Sequence, residues 1–318
     1  MGKLKTVFLG TPEFAVPVLH RLARETEIAL VITQPDRPAG RGRKLTSPPV
    51  KIAARELGIE VIQPEIVKGR RFADRVSKYR PDFLVTAAFG RILGPSLLAV
   101  PSLASLNVHA SLLPLHRGAA PANWAILSGD QETGVSIMRM EPGLDTGPVY
   151  AMERIRIGEN ETAGELLGRL ATLGAAALAE TLQRFEGIEP VAQEHDRATW
   201  APVLKKTDGQ LDWTRSAEEN HCHIRGMHPW PVASASLDGD VLRIHRALVL
   251  EKEGVSDTPG EILSISTEGI DVSCGKGSLR LTEVQSSGRK RLHVSDFVKG
   301  ASLRAGQIFS AKRAIENT

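Results

Sequence analysis

Three side chains whose chemical types suit acyl-type transfer lie in two short stretches of the sequence. Asn107 and His109 belong to Asn-Val-His-Ala-Ser-Leu-Leu-Pro, and Asp145 lies further on in Gly-Leu-Asp-Thr-Gly. A histidine beside a carboxylate is a tunable general acid or base, and an amide N–H can stabilise a developing oxyanion. Together these residue types indicate chemistry at a carbonyl carbon.

The residues around His109 predict how two of these side chains are presented. Leu106 and Val108 alternate with Asn107 and His109, which is typical of a strand. Successive side chains of a strand point to opposite faces, so Asn107 and His109 are expected to face the same cavity. A structural reading stays open, because a histidine on a strand can be a satisfied core residue. Asp145 could likewise only bond its own backbone in a turn.

The elements that must position these residues follow a βαβ rhythm. Strands are predicted at 6–9, 28–33, 61–62, 83–86 and 105–109, with helices over 12–24 and 51–57. This alternation predicts an α/β fold with a doubly wound, mostly parallel, Rossmann-like sheet. Such sheets bind ligands beyond the carboxyl ends of their strands. The sequence contains neither G-x-G-x-x-G after the first strand nor a Walker lysine loop, so a dinucleotide site is not expected.

The second half of the chain follows a different pattern. A long amphipathic helix over 161–185 is expected to close the first domain, and 188–206 has no sustained period. Gly- and Ser-punctuated strands at 233–237, 241–250, 260–266, 269–273 and 278–284 predict a small, OB-like β-barrel. We therefore expect a catalytic domain over 1–189, a linker over 190–206 and a β-barrel domain over 207–318.

The composition is that of an ordinary soluble protein. The chain has 318 residues, 42% apolar and 24% charged, with a net charge of +3. Its two cysteines, Cys222 and Cys274, cannot build a disulfide framework and fit a reducing compartment. No apolar run reaches the ~18 residues of a membrane span, and a signal peptide is not indicated. We expect a cytoplasmic monomer without a membrane partner.

The motifs together resemble the folate-dependent formyltransferases. The resemblance is carried by Asn-Val-His-Ala-Ser-Leu-Leu-Pro, Arg-Gly-Ala-Ala-Pro, Glu-Thr-Gly-Val-Ser-Ile and Gly-Leu-Asp-Thr-Gly. It extends more weakly into the second half, through 210–213, 227–231 and 295–300. The family implies 10-formyltetrahydrofolate as the formyl donor, an amine as the acceptor and no metal. By motif, its catalytic trio corresponds to Asn107, His109 and Asp145.

The trio can support direct transfer to an amine. Asn107 can donate to the oxyanion, a contribution typically worth ~3 kcal/mol of barrier. His109 beside a carboxylate can be a cationic donor to the same oxygen, and Asp145 can accept a proton. An α-amino group with a pKa near 8 is partly neutral at working pH, so an activated side-chain nucleophile is not required.

The resemblance also implies where the folate lies. Its contacts correspond to two segments, with the residues Ser111, Leu112, Leu113, Pro114, Phe89, Gly90, Arg91, Ile92 and Leu93. The leucines and isoleucines of these segments could equally be core residues. Many relatives have a basic and an aromatic residue where this chain has Leu115 and His116, which leaves the role of His116 open.

A basic stretch indicates the acceptor. Residues 33–45 form a Pro- and Gly-rich loop with four cations, Arg37, Arg41, Arg43 and Lys44. The loop resembles the insertion that tRNA-acting members of the family use to contact tRNA, and it implies initiator Met-tRNA as the partner. Lys205 and Lys206, and in the barrel Arg243, Arg246, Arg289, Lys290 and Arg291, are further candidates for phosphate contacts.

Other functions remain open from the sequence. A formyltransferase acting on an amino sugar or a purine precursor would share the trio, but the basic loop opposes it. A noncatalytic RNA-binding protein on a degenerate fold is opposed by retention of the whole trio. Metal binding by His221, Cys222, His223 and His228 is weakly indicated, because no second Cys or His pair follows at zinc spacing.

Overall fold

The computed structural model describes residues 3–39, 42 and 44–310. The described chain forms two compact units. The first contains the described residues of Met1–Pro121, Glu132–Arg156 and Leu167–Pro202. The second contains those of Ala122–Gln131, Ile157–Leu166 and Val203–Thr318.

The chain order of elements is as follows. The strands are β1 Lys5–Gly10, β2 Glu27–Ile32, β3 Arg37–Ala39, β4 Lys44–Thr46, β5 Val61–Ile62, β6 Phe83–Ala87, β7 Ala104–His109, β8 Arg117–Gly118, β9 Glu132–Arg139, β10 Val149–Arg156, β11 Trp200–Ala201, β12 Ala233–Leu237, β13 Asp240–Val255, β14 Ile262–Ile265, β15 Ile270–Ser273, β16 Lys276–Ser286 and β17 Leu292–His293. The α-helices are α1 Ala15–Glu25, α2 Pro49–Glu56, α3 Arg70–Ser77, α4 Pro95–Leu98, α5 Pro121–Leu127, α6 Ala163–Gln183, α7 Ala217–Gly226 and α8 Val294–Phe297.

A seven-stranded sheet forms the centre of the first unit, in the order β10-β9-β7-β6-β1-β2-β5. The neighbouring strands β7, β6, β1, β2 and β5 are parallel. Beyond β7, strand β9 pairs antiparallel with β7, and β10 pairs antiparallel with β9. Strands β1 and β6 are almost continuously buried, as expected of parallel strands that helices cover on both faces of the sheet. The prediction of a doubly wound, mostly parallel sheet is confirmed.

The register of the parallel strands brings their carboxyl ends to one edge. Gly10 at the end of β1 pairs with Ala87 at the end of β6, and Ala87 pairs with Val108 in β7. His109 is the last residue of β7. The predicted catalytic strand therefore ends where open α/β sheets bind their ligands.

Two details of the first unit differ from the prediction. Helix α1 begins at Ala15 rather than at Pro12, which lies in a preceding turn and accepts the Ala15 N–H at 3.0 Å. Helix α3 and strands β9 and β10 were not predicted. Strand β9 has buried residues at six consecutive positions, so it lacks the alternation that marks a half-exposed strand.

The second unit contains an antiparallel sheet in the order β12-β13-β16-β15-β14, with β17 beside β16. Residues 308–310 join its two edges, because Ser310 bridges Ser236 in β12 and Ile308 bridges Glu261 just before β14. The sheet is therefore closed on itself, which removes its open edges. The predicted C-terminal β-barrel is confirmed, and its five predicted strands correspond to β12 to β16.

The segment predicted as a linker contains short elements. Val191 pairs with Val149, and β11 pairs with β8 as a parallel two-stranded sheet. Of this segment, residues 190–202 belong to the first unit and residues 203–206 to the second. Two-residue strands are too short to leave a periodic pattern, which is why the sequence indicated only a linker. The predicted domain bounds stay a prediction. Within the described part of the chain, none of the helices combines the length and the apolar character that a membrane crossing requires.

Candidate active site

Asn107 is held by a neighbouring strand. Thr86 in β6 lies directly beside Asn107 in the parallel register. Its Oγ1 donates to Oδ1 of Asn107 at 2.7 Å, which turns the amide so that Nδ2 points away from Thr86. The amide nitrogen of Asn107 is thereby presented as a donor in a fixed orientation.

His109 is contacted on both ring nitrogens. Nε2 lies 3.1 Å from the carbonyl oxygen of His116 and donates to it, because a carbonyl can only accept. Nδ1 lies 3.7 Å from Oδ2 of Asp145, which is an ion-pair distance rather than a hydrogen bond. The ring is buried, so its orientation is determined by these two partners and by packing.

Asp145 lies in a tight loop with a left-handed backbone. Its φ is +53°, a conformation that only a few per cent of non-glycine residues adopt. Oδ2 accepts the backbone N–H of Gly118 at 2.9 Å. The Asp145 side chain is only 13% exposed, so its carboxylate faces His109 and Gly118 rather than bulk solvent. The structure thus brings His109 and Asp145 together, with Asn107 two residues before His109 on the same strand.

A buried network lies behind this loop. Nε2 of Gln193 donates to the carbonyl oxygens of Asp145 at 2.9 Å and Gly147 at 2.6 Å. Oε1 of Gln193 accepts from Nε and Nη2 of Arg117, at 3.1 and 2.6 Å. Nη2 of Arg117 also lies 2.8 Å from Nδ1 of His195. Arg117 and Gln193 are 3% and 9% exposed, so the network is internal.

The segment predicted to contact folate through Ser111 to Pro114 is largely buried. The hydroxyl of Ser111 donates to the carbonyl oxygen of Leu115, and Leu113 packs on Met138 and Val149. Leu112 is also buried, whereas Pro114 is half-buried after a cis peptide bond. The folate role of this segment stays a prediction.

The second predicted folate segment, from Phe89 to Leu93, divides into two kinds of residue. Phe89 and Leu93 pack in the core with Leu9 and Leu97. Gly90 has φ +77°, a left-handed conformation that glycine adopts without strain, so glycine is favoured at this position.

Arg91 and Ile92 of this segment are less buried. Arg91 donates to the carbonyl oxygens of Pro64 and Glu65. Ile92 is 71% exposed, and Leu144, next to Asp145, is 50% exposed. Exposed apolar side chains beside polar groups are the lining that a flat heterocycle with polar edges requires.

The basic loop forms a short hairpin of β3 and β4. Arg37 and Lys44 lie on it and are exposed, whereas Arg41 and Arg43 lie outside the described residues. Just before β3, Asp36 accepts from Nζ of Lys51 at 2.7 Å and from Nε2 of Gln63 at 2.7 Å. The hydrogen bond from Lys51 is the main reason that the pKa of Asp36 lies below its ordinary value.

The basic candidates in the second unit differ in how they are paired. Lys205 and Lys206 are exposed, as are Arg243, Arg289 and Lys290. Arg246 contacts Glu165 and Glu283, and Arg291 contacts Glu283. The acidic partners offset the charge of these last two arginines, so the first group is the stronger set of candidates for phosphate contacts.

The histidines considered for a metal are mainly internal side chains. Burial lowers the pKa of His221 and of His228 to about 4, with neighbouring arginines contributing. In the ranges 3–39, 42 and 44–310, no group of three or more His, Cys, Asp and Glu side chains is arranged to hold a metal ion.

Sequence reasoning missed Thr86 and Gln193. Thr86 is the polar residue in an otherwise apolar strand, which is a signal that could have been used. Gln193 lies in a stretch without periodicity and gave no signal. Arg117 was noted only as part of Arg-Gly-Ala-Ala-Pro.

Comparisons with known families match both halves of the chain. Residues 4–182 match the family model described as Formyl transferase, and residues 203–302 match that described as Formyl transferase, C-terminal domain. The chain is 44% identical over 308 residues to the methionyl-tRNA formyltransferase of Acetivibrio thermocellus, covering 96% of this chain and 99% of that protein. It is also 44% identical over 320 residues to that of Geobacter sulfurreducens, covering 100% of both.

Solved structures with the same fold are more distant in sequence. An N-formyltransferase from Helicobacter canadensis, in complex with folinic acid and dTDP-3-aminofucose, matches with a TM-score of 0.64 and 19% identity, covering 90% of this chain and 100% of that chain. HypX from Aquifex aeolicus, in complex with tetrahydrofolic acid, matches with a TM-score of 0.61 and 17% identity, covering 94% of this chain and 47% of that chain. At such identity the likeness shows the fold alone.

Proposed function

The chain belongs to the methionyl-tRNA formyltransferase family, and from this membership we propose that it transfers the formyl group of 10-formyltetrahydrofolate to the α-amino group of methionine on initiator tRNA. The observation that carries the proposal is the placement of the His109 ring against Asp145 at the end of β7, with Asn107 on the same strand. The reaction supports translation initiation, because the acceptor is the charged initiator.

The residues of the site fit a folate donor. Leu144, adjacent to Asp145 in the chain, and Ile92 are exposed apolar side chains that could contact the folate. Bound 10-formyltetrahydrofolate would supply a formyl group on a nitrogen that can leave. We assign its binding to the segments 111–114 and 89–93.

Asn107 and His109 are assigned to the carbonyl oxygen of the formyl group. The Nδ2 amide of Asn107 is oriented by Thr86 and can donate to the charge that develops on that oxygen. Nε2 of His109 is engaged by the His116 carbonyl, which leaves Nδ1 as the nitrogen that can hold and donate a proton. Both donors are oriented before substrate arrives, which lowers the reorganisation needed during reaction.

Asp145 is assigned to the proton of the attacking amine. The Gly118 N–H occupies one side of Oδ2, and Nδ1 of His109 lies at ion-pair distance from the same oxygen. The carboxylate can accept a proton from the amine as the new C–N bond forms, and this proton can pass to the folate nitrogen as the bond between that nitrogen and the formyl carbon breaks.

The exposed cations are assigned to tRNA. Arg37 and Lys44 project from the β3-β4 hairpin, and the sequence adds Arg41 and Arg43. Lys205 and Lys206 are exposed in the second unit. Cations of this kind neutralise phosphates and give salt-dependent affinity.

The test is formylation with chosen acceptors. The protein is incubated with 10-formyltetrahydrofolate and one of methionine-charged initiator tRNA, uncharged tRNA or a dTDP-linked amino sugar, and the products are separated by mass. We expect formylmethionine in the first mixture alone, and loss of it in His109→Ala but not in the control His293→Ala, which changes an exposed histidine of the second unit. Formylation of the sugar, or none of Met-tRNA, would overturn the proposal.

A further inference from the structure

We propose that Gln193 is a positioning residue for formyl transfer, which holds the Asp145 loop and the His116–Gly118 segment in the one arrangement that keeps the Asp145 carboxylate against His109. The inference rests on the proposed function and adds to it a residue outside the recognised motifs. Gln193 has no place in the chemistry itself, because its amide is engaged entirely with the protein.

The side-chain amide of Gln193 uses its whole hydrogen-bonding capacity. Its two N–H groups donate to the carbonyl oxygens of Asp145 and Gly147, and its oxygen accepts two bonds from Arg117. An amide offers two donors and two acceptor lone pairs. If the amide were turned by 180°, its oxygen would face the carbonyl oxygens of Asp145 and Gly147, and its N–H groups would face the N–H groups of Arg117. The observed orientation is therefore the one of the two that satisfies all these groups.

The two sides of this amide reach the two halves of the catalytic pair. One side binds the backbone of Asp145 itself, whose left-handed φ requires surrounding structure to maintain it. The other side binds Arg117. In the chain, Arg117 lies between His116 and Gly118. The carbonyl oxygen of His116 accepts from Nε2 of His109, and the N–H of Gly118 donates to Oδ2 of Asp145.

Backbone pairing fixes the segment from which Gln193 extends. On one side of it, Val191 exchanges two hydrogen bonds with Val149 at 2.8 Å. On the other side, Thr199 accepts the N–H of Arg117 at 2.9 Å and, through Oγ1, that of His116 at 2.8 Å. Gln193 is therefore anchored at both ends before its amide meets the loop.

Replacement of Gln193 by Glu tests whether the hydrogen bonds of the side chain matter beyond its size and shape. Glu has nearly the same shape and keeps an acceptor for Arg117, but it loses both N–H donors and opposes a carboxylate oxygen to the carbonyls of Asp145 and Gly147. We expect kcat to fall about 10- to 100-fold, as a misplacement near 1 Å does, and KM for Met-tRNA to change less than about twofold. Gln183→Glu is the matched control, because Gln183 is exposed and its amide donates to Glu25, far along the chain from Asp145.

Two further measurements make the result decisive. Gln193→Glu is combined with Asp145→Asn and assayed with enzyme in excess, so that slow turnover is measurable. If Gln193 acts through Asp145, adding Gln193→Glu to Asp145→Asn should lower the rate of formyl transfer further by less than about twofold. Amide hydrogen exchange of Gly118, which needs no substrate, should accelerate about tenfold in Gln193→Glu and remain unchanged in Gln183→Glu.

The outcomes distinguish this proposal from the proposed function. An unchanged kcat in Gln193→Glu, an unchanged Gly118 exchange rate, or a loss that is fully additive with Asp145→Asn would overturn the positioning role. If the unmodified protein formylates no Met-tRNA, the proposed function fails, and the exchange rate of Gly118 still decides whether Gln193 holds the loop.

Discussion

Oγ1 of Thr86 lies 2.7 Å from Oδ1 of Asn107, across neighbouring parallel strands. A hydroxyl on β6 thus sets the orientation of the amide on β7 that we assign to the formyl oxygen. Asn107 belongs to a motif that the sequence analysis identified, whereas Thr86 belongs to none of those motifs.

Thr86→Val should weaken catalysis without unfolding the protein. The substitution keeps the side-chain shape but removes the donor, so the Asn107 amide can rotate, and we expect kcat to fall about tenfold. Asn107→Ala should lower kcat by about 10²- to 10³-fold, because the amide donor itself is lost. Thr181→Val is the control, since it removes another buried hydroxyl that bonds only within α6. Equal kcat in Thr86→Val and the control would refute the orienting role.

The pair of His109 and Asp145 should respond to mutation as one unit. We expect His109→Gln and Asp145→Asn each to lower kcat by about 10²- to 10⁴-fold, because each leaves the other without its partner for proton transfer. The double variant should be no slower than the slower single variant, since groups that act together are strongly non-additive. Steady-state kinetics at saturating substrates measures this, and multiplied losses would show independent roles.

Removing one cation of the basic stretch 33–45 should weaken tRNA use more than folate use. We expect Arg41→Ala and Lys44→Ala to raise KM for Met-tRNA several-fold while folate binding stays unchanged, because each removes a phosphate contact. In separate binding titrations, each should lower the slope of log affinity against log salt by about 1. Lys78→Ala, at an exposed position after α3, is the control. Equal losses for both ligands would contradict the assignment.

Gly118→Ala should destabilise the first unit strongly. A Cβ at this position would lie 2.5 Å from the carbonyl oxygen of Ala201, and φ is +129°. We expect a loss of about 2–4 kcal/mol in the free energy of unfolding. Gly58→Ala separates the steric clash from the backbone strain, because Gly58 has φ +70° but no atom within 4 Å of a Cβ. Its free energy of unfolding should fall by only about 1 kcal/mol. Denaturant titration checks both values, and similar losses would exclude the clash as the cause.

Stability should fall on acidification because of buried histidines. Burial, with a smaller contribution from Arg225, lowers the pKa of His221 to about 4, whereas the ordinary value is 6.5. As the pH falls, this histidine therefore binds a proton in the unfolded chain before it does so in the folded chain. The stability that neutral His221 contributes is complete above pH 6.5. It is lost as the pH falls toward 4, by at most about 3 kcal/mol. Melting temperatures of His221→Gln should depend less on pH in that range, whereas His293→Gln should keep the original dependence. An unchanged pH dependence in His221→Gln would exclude His221 as the source.

The sequence by itself was sufficient where the signal is local. The alternation of Leu106, Asn107, Val108 and His109 predicted the strand and the shared face, because the side-chain period of a strand is two residues. The βαβ rhythm predicted the parallel sheet, since strands and helices have different apolar periods. The short C-terminal strands predicted the barrel in the same way.

Tertiary structure alone decided which distant side chains lie behind the predicted residues. Gln193, which the sequence did not indicate, reaches Arg117 from 76 positions away in the chain. A hydrogen bond between such residues imposes no periodicity on the sequence between them. It depends instead on how β8, β11 and the Asp145 loop pack, and this packing places a residue of the segment predicted as a linker against the backbone of Asp145.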